Sequence, residues 1–528
     1  MTHECLKIYE RILEIHAQWR HGLPYLLWYT VDGFLCNHAD NLANNAYRIT
    51  KHLAPTEKRM SNTMNSAHHQ APTIGIIPND TLGHNMAGPG IRDWELAHVL
   101  AQHLRVQLIF PPMVKLDPAL TPRQQNGIAL PITLHKCTDA AQLRTFAAQC
   151  DVLMTRGTIL TAYPFLTQLG KPLVVDIYIP FLLENLERES HADDLRQISS
   201  LEGDVGALRL QLQAGDFFIC ADEKQRDYWL GMLAAFGRIN PYTYRQDATL
   251  RRLIDLVPFG VQNAPPVHNK QVLKGVYPGI AANDKVIFWG GGIWNWLDAV
   301  TLIRAMAQVC NQRADVKLFF PGIKRPTPHA PVPEAVTEAL QVSDDLGLTG
   351  RHVFFNDWMP YAERHNYLLE ADIGASLHLE HIETHFAFRT RMLDYIWTGL
   401  PVLATRGDVL GQMLANRGLA RLVAPRDVDG VAQAILELLA QPDLRSAHAA
   451  EFAKLAADYR WTQVAQPLLH FCQNPTFAAD RQYIAARRLD TAGPNSLPEK
   501  AWRALRMGGV TGLWRQAVQY ARWQARIR

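Results

Sequence analysis

No stretch of this sequence stays apolar for the roughly 18 residues that a bilayer-spanning helix needs. Its opening residues, MTHECLKIYERILEIH, carry charges where a signal peptide has an apolar core. Neither membrane spanning nor export is expected. Cysteine is scarce and unpatterned: seven residues (Cys5, Cys36, Cys137, Cys150, Cys220, Cys310, Cys472), odd in number, with no CxxC pair and no zinc spacing. That argues against a disulfide framework and fits a reducing, cytoplasmic compartment. Solenoid periodicity is missing too. So is a uniformly basic surface. The net charge is +3, but Glu499–Arg528 holds seven Lys or Arg against one acid, which leaves the rest of the chain net negative. Nucleic acid is therefore not an expected partner, and the basic tail alone points to an anionic surface or to nothing specific.

What is present is a chain of 528 residues, 48% hydrophobic and 20% charged. That is ordinary globular composition, but single cores stop growing near about 250–300 residues, so at least two domains are expected. Residues 1–70 begin with helical spacing (Cys5, Ile8, Ile12, Ile15, Trp19) and end in a polar stretch, read as a helical extension and linker. From Thr73 short apolar runs alternate with helical patterns: TIGIIPND, VQLIF, DVLMT, PLVVDIYI and DFFICA, with a helix over Asp93–His103. Runs without polar alternation fit strands covered on both faces, hence a parallel α/β sheet. The pattern breaks over Leu256–Lys270, where prolines, Gly260 and asparagines cluster, and it restarts at KVIFWGGG. VKLFFPG, HVFFND, DIGASLHL and LPVLAT follow, with helices over Asp298–Cys310 and around Met392–Thr398. This predicts doubly wound domains over 71–262 and 263–465, facing each other across a cleft at the carboxyl ends of their strands, and a helical extension over 466–528.

The segment ETHFAFRTRMLDYIWTGLPVLATRGD, Glu383–Asp408, carries most of the chemistry. Arg389 and Arg391 stand one residue apart, Asp394 follows, and a helix feeds the strand LPVLAT, a placement suited to phosphates and ribose. Gly290, Gly291 and Gly292 lie between a strand and a helix, so their amides can approach a diphosphate or simply make a tight turn. They are not a dinucleotide fingerprint, because Asn295 replaces the third glycine. Gly88, Pro89, Gly90 and Arg92 read either as a mobile loop closing on a ligand, with Arg92 in the cleft, or as a helix cap with a solvated arginine. Asp176, within a buried apolar run, is either a site residue or half of a hidden ion pair. Glu184 reads as a helix-face charge or a contact for a substrate hydroxyl. His381 and His385 flank Glu383, but HIETH is not HExxH, and no metal is expected.

The motif LDYIWTGLPVLAT resembles the second half of the two-acid motif of retaining GT-B glycosyltransferases, family 4 in particular. Further similar phrases are MAGPGIRDWELAHVLA, KPLVVDIYIPFLLENLE, GDFFICADEKQRDYWLGML, LIDLVPFGV and WGGGIWNWLDAVTLIRAMA. They span roughly residues 73–465 and resemble a bacterial branch associated with polysaccharide biosynthesis. The resemblance implies an α/β GT-B fold of two Rossmann-like domains. It also implies retaining, metal-independent transfer of a sugar from a nucleotide-sugar donor, a substrate and not a cofactor, to a glycan or lipid-linked acceptor. Asp394 would hold ribose and Glu383 would contact the donor sugar; Asp176, if a site residue, would position the acceptor hydroxyl or help bind the donor sugar. Two departures stand out. Ten residues separate Glu383 from Asp394 where the family has seven, and no base follows Gly290–Gly292 before Arg304, leaving Arg389 and Arg391 as the phosphate candidates. An epimerase, a phosphorylase and a non-catalytic glycan-binding protein share this architecture. In the tail, Trp514, Val518, Ala521 and Ala525 share one helical face, suited to the inner leaflet of an anionic membrane or to packing on the body.

Overall fold

Short apolar runs bounded by turn residues become strands where helices cover both faces. In the computed structural model, which describes residues 71–125, 127–190, 192–324, 332–488, 511–515 and 517–522, they build two parallel sheets. The first holds β1 (Thr73–Ile76), β2 (Arg105–Phe110), β5 (Ile132–Lys136), β6 (Val152–Thr155), β7 (Leu173–Asp176), β8 (Phe217–Cys220) and β9 (Ile254–Leu256). Their order is β5-β2-β1-β6-β7-β8-β9. A two-residue antiparallel pair, β3 (Gln124–Gln125) and β4 (Ile128–Ala129), stands apart. The second sheet holds β10 (Lys285–Trp289), β11 (Val316–Phe320), β12 (Val353–Phe355), β13 (Ile373–Ser376), β14 (Val402–Thr405) and β15 (Ala420–Val423). Its order is β12-β11-β10-β13-β14-β15. Every residue of β1, β6, β7 and β8 is buried, as a sheet covered on both faces requires.

The strand order reverses direction between β1 and β6 in one sheet and between β10 and β13 in the other. Crevices open at such points, at the carboxyl ends of the strands. Helix starts are set locally. Asp298 accepts the Thr301 amide at 3.0 Å and caps the helix Ala299–Gln312. The helix expected over Asp93–His103 is instead Gly88–Leu100, so the glycine-proline stretch forms its first turn, where a mobile loop was one expectation. Pro89 has a preset φ suited to that turn, and Gly90 lies against the Thr81 carbonyl where no Cβ would fit.

Beyond Asp458 the chain crosses back to the first sheet's domain. Val261 and the Tyr459–Trp461 backbone exchange hydrogen bonds of 2.8 and 3.0 Å. Phe471 stacks on Phe217 at 4.7 Å, and Arg238 clamps Asp480 at 2.8 and 3.1 Å. Helices Gln466–Gln473 and Arg481–Arg488 thus complete the N-terminal domain.

The expectations for residues 1–70, and for the tail over 489–510 and 523–528 including Ala525, lie outside the described residues. Within 511–522, Trp514 is 71% exposed, and Arg515 stands 3.9 Å from Asp193 of the N-terminal domain. Among the described residues no helix is long and apolar enough to cross a membrane. The five described cysteines form no disulfide.

Candidate active site

The strand ends of both sheets open on a cavity of about 570 Å³. The N-terminal domain lines it with Gly88 and Tyr178, the C-terminal domain with Gly291, Trp294, Arg391 and Asp394.

Tyr395 sets the floor. Its hydroxyl accepts the Gly290 amide at 2.7 Å and donates to the Ala375 carbonyl at 2.7 Å, tying the helix Arg391–Thr398 to the ends of β10 and β13. The approach is close enough that a Cβ on Gly290 would lie 2.8 Å from that hydroxyl and 2.9 Å from Arg391 Cβ. Gly291 has φ +82, a left-handed conformation that disfavours any side chain. The glycine turn is therefore required by the fold, and it also places backbone amides beside the first turn of the helix.

Arg391, at that first turn, lies over the Trp289 ring at 4.7 Å and donates through Nη2 to the Gly292 carbonyl at 3.2 Å. Its Nη1 is buried without a hydrogen-bond partner. Burial pushes the guanidinium down to about 10, with no carboxylate opposing the shift. It is still charged at neutral pH. A desolvated, unpaired cation beside three glycines calls for an anion.

Arg389 is used differently. It meets Glu383 through Nη1–Oε1 at 2.9 Å and Nη2–Oε2 at 2.6 Å, with the Glu383 side chain fully buried. Glu383 does not line the cavity, which corrects the expectation that it faces a donor sugar, whereas Arg389 does line it but spends both terminal nitrogens on Glu383 and is not free for phosphate. The two arginines diverge because the chain turns helical at Arg391. His381 and His385 flank this pair. His381 Nδ1 accepts the Thr384 amide at 3.3 Å as a helix cap. Among the described residues no three His, Cys, Asp or Glu side chains stand together as a metal site would need.

Asp394 opens on the cavity with its side chain 36% exposed, and its Oδ1 accepts from Arg364 Nε at 3.1 Å. On the opposite wall, Arg92 is buried and points inward. Its Nε and Nη2 donate to Asp176 at 2.6 and 3.1 Å, and its Nη1 and Nη2 donate to the Pro258 and Val257 carbonyls at 3.0 and 2.8 Å. This corrects both readings of Arg92, as a cleft residue and as a solvated cap, and makes Asp176 half of a buried pair. Gly90 is buried against the Thr81 backbone, while Gly88 reaches the cavity. Glu184 lies on the rim.

The sequence reading passed over Arg156, Tyr178 and Arg364. Arg156 ion-pairs with Asp93, stands 3.7 Å from Asp176, and donates to the Pro89 carbonyl at 2.6 Å. Tyr178 lies under the guanidiniums of Arg92 and Arg156, at 4.4 and 5.6 Å. A base directly after the apolar run DVLMT was a usable signal, because strand carboxyl ends are where ligands of such sheets bind.

Two facing parallel-sheet domains with the cavity between their strand ends define the GT-B architecture. Among solved structures, sucrose-phosphate synthase from Thermosynechococcus elongatus aligns with a TM-score of 0.54 at 16% identity, covering 79% of this chain and 100% of that one, a likeness of fold. Residues 284–441 match the family model of the glycosyl transferases group 1. The chain is also 24% identical over 155 residues to a phosphatidyl-myo-inositol mannosyltransferase of Mycolicibacterium smegmatis. That match takes in 29% of this chain and 39% of the relative, about two fifths of its length.

Proposed function

We propose that this protein is a glycosyltransferase that moves a sugar from a nucleoside-diphosphate donor to a glycan or lipid-linked acceptor in surface polysaccharide synthesis. Transfer proceeds with retention and without a metal. The observation that carries the reading is Arg391, a half-buried arginine beside the Gly290–Gly292 turn whose Nη1 is buried without a partner and with which no acid pairs. A diphosphate placed there meets a charge that the fold has already desolvated, in a site where preorganised charge acts strongly.

In the reaction, the bond from the sugar's anomeric carbon to the diphosphate breaks and a bond to the acceptor oxygen forms on the same face. The acceptor proton leaves with the diphosphate. Arg391 and the Gly291 and Gly292 amides oppose the charge that develops on the leaving group, the Gly290 amide being held by Tyr395. Asp394 accepts ribose hydroxyls, and the wall formed by Gly88 and Tyr178 confines the acceptor. The setting is cytoplasmic, with the tail lying on the inner leaflet through exposed residues such as Trp514.

Thermal-shift titration with UDP, GDP, ADP and dTDP, alone and as sugar conjugates, tests this. One of them should raise the melting temperature, since a ligand at about 100 times its dissociation constant adds about 2.7 kcal/mol of stability. Absence of any shift contradicts the reading. Product analysis of the stabilising donor distinguishes transfer from epimerisation, which needs no acceptor, and from phosphorolysis, which needs free phosphate.

A further inference from the structure

Arg364 is nearly buried, yet it is the side chain that holds Asp394. It follows a single turn (Tyr361–Glu363) after β12, and its side chain is 7% exposed. The guanidinium packs over two rings, 4.0 Å from the Tyr361 centroid and 4.8 Å from that of Trp397. Nη1 donates to the Tyr361 carbonyl at 3.2 Å, and Nε donates to Asp394 Oδ1 at 3.1 Å.

Both rings are fastened to groups outside the second sheet. Tyr361 donates its amide to the His84 carbonyl at 3.1 Å and its hydroxyl to Glu95 Oε1 at 2.9 Å, both in the N-terminal domain. Glu95 is itself held by Arg123, at 2.8 and 2.5 Å, and by Gln262 of the connecting segment at 2.8 Å. Trp397 donates Nε1 to the Ala264 carbonyl of the same segment at 2.9 Å. The frame around Arg364 is therefore built from both domains and the connection between them.

We infer that Arg364 is a positioning residue: it fixes the Asp394 carboxylate toward the cavity so that it can accept the ribose hydroxyls of a nucleoside diphosphate, and the domain junction holds it in that pose. The inference rests on the donor-site reading above. A flexible aspartate on a helix surface samples several rotamers, whereas one oxygen tethered to a guanidinium that two rings hold flat leaves the carboxylate preorganised. Lysine keeps the charge but loses both the planar stack and the directed Nε bond.

The test compares UDP, GDP and ADP with their 2′,3′-dideoxy analogues by titration calorimetry on the full chain. Wild type should bind the ribose form of its preferred diphosphate about tenfold or more tightly than the dideoxy form, as hydrogen bonds to a charged acceptor imply. Arg364→Met and Asp394→Asn should each bring that ratio close to one while dideoxy affinity stays near wild type. Arg364→Lys should retain part of the ratio, and it carries the test if Arg364→Met fails to fold. Folded Arg364 variants that keep the full ratio, even with lower melting temperatures, overturn the inference, since a merely structural arginine lowers stability and leaves the preference intact. Retention of the ratio in Asp394→Asn also overturns it. If wild type binds diphosphates but ignores the ribose hydroxyls, the ribose assignment fails with it. If wild type binds none of the three and dTDP does not bind either, the donor-site reading is what falls, and the inference falls with it; binding of dTDP alone overturns the ribose inference and leaves the donor site standing.

Discussion

Arg389 and Glu383 meet through two hydrogen bonds of 2.9 and 2.6 Å, and this contact occupies both terminal nitrogens of an arginine that lines the cavity while Glu383 itself stands outside the lining. Both are buried, so the pair holds the turn between β13 and the helix Arg391–Thr398. Arg391 is left alone to face the glycine turn.

Glu383→Gln should therefore act on stability. Removing one partner of a buried ion pair strands the other and typically costs about 3–5 kcal/mol. Urea unfolding should show a loss of that order, while nucleoside diphosphate affinity of the folded protein changes little. A variant with wild-type stability and lost affinity would return Glu383 to the donor site.

Asp176→Asn should behave similarly, because Arg92 spends two nitrogens on that carboxylate and Arg156 stands 3.7 Å away. The expected loss is again about 3–5 kcal/mol, with turnover per folded molecule largely kept. A large fall in kcat at unchanged melting temperature contradicts this and makes Asp176 a catalytic group.

His98 supplies a pH signature. Its Nδ1 donates to the Trp94 carbonyl at 2.7 Å, and its Nε2 accepts the Arg123 amide at 3.0 Å, so the native ring is neutral. Burial lowers its pKa from the ordinary imidazole value of about 6.5 to about 4. Above pH 7 both native and unfolded chains hold it neutral and it contributes no pH dependence. As pH falls from about 6.5 to about 4, the unfolded chain binds the proton first, so stability is lost, about 3 kcal/mol in full, and the loss levels off below. Urea unfolding of wild type and His98→Gln at pH 7.5 and 4.5 checks this: the variant should lack that share of the acid destabilisation. An equal pH dependence in both proteins contradicts it.

Much of the fold was legible because buried strands announce themselves as unbroken apolar runs: VVD of β7 and VIFW of β10 show no polar alternation. The edge strands were harder. β5 (ITLHK) and β15 (ARLV) carry exposed polar residues and look like loop. At the site, spacing indicated which residues cluster but not which way they point. Arg389 and Arg391 are equivalent in a string, and only the helix start between them sends one to Glu383 and the other to Trp289. Arg364, among the charges of YAERHNY, reads as a solvated helix face, because the rings that bury it are Tyr361 and the distant Trp397.

Titration of Arg391→Met with the nucleoside diphosphate that most stabilises wild type decides whether Arg391 is the cation that meets the diphosphate. Affinity should be about ten- to a hundredfold weaker, with Arg391→Lys in between, since one or more charge-assisted hydrogen bonds are lost. The melting temperature of the unliganded protein should be unchanged or higher, because a charge with a buried, unpartnered nitrogen and no acid beside it has been removed. A folded Arg391→Met protein that binds the diphosphate as tightly as wild type would contradict that role.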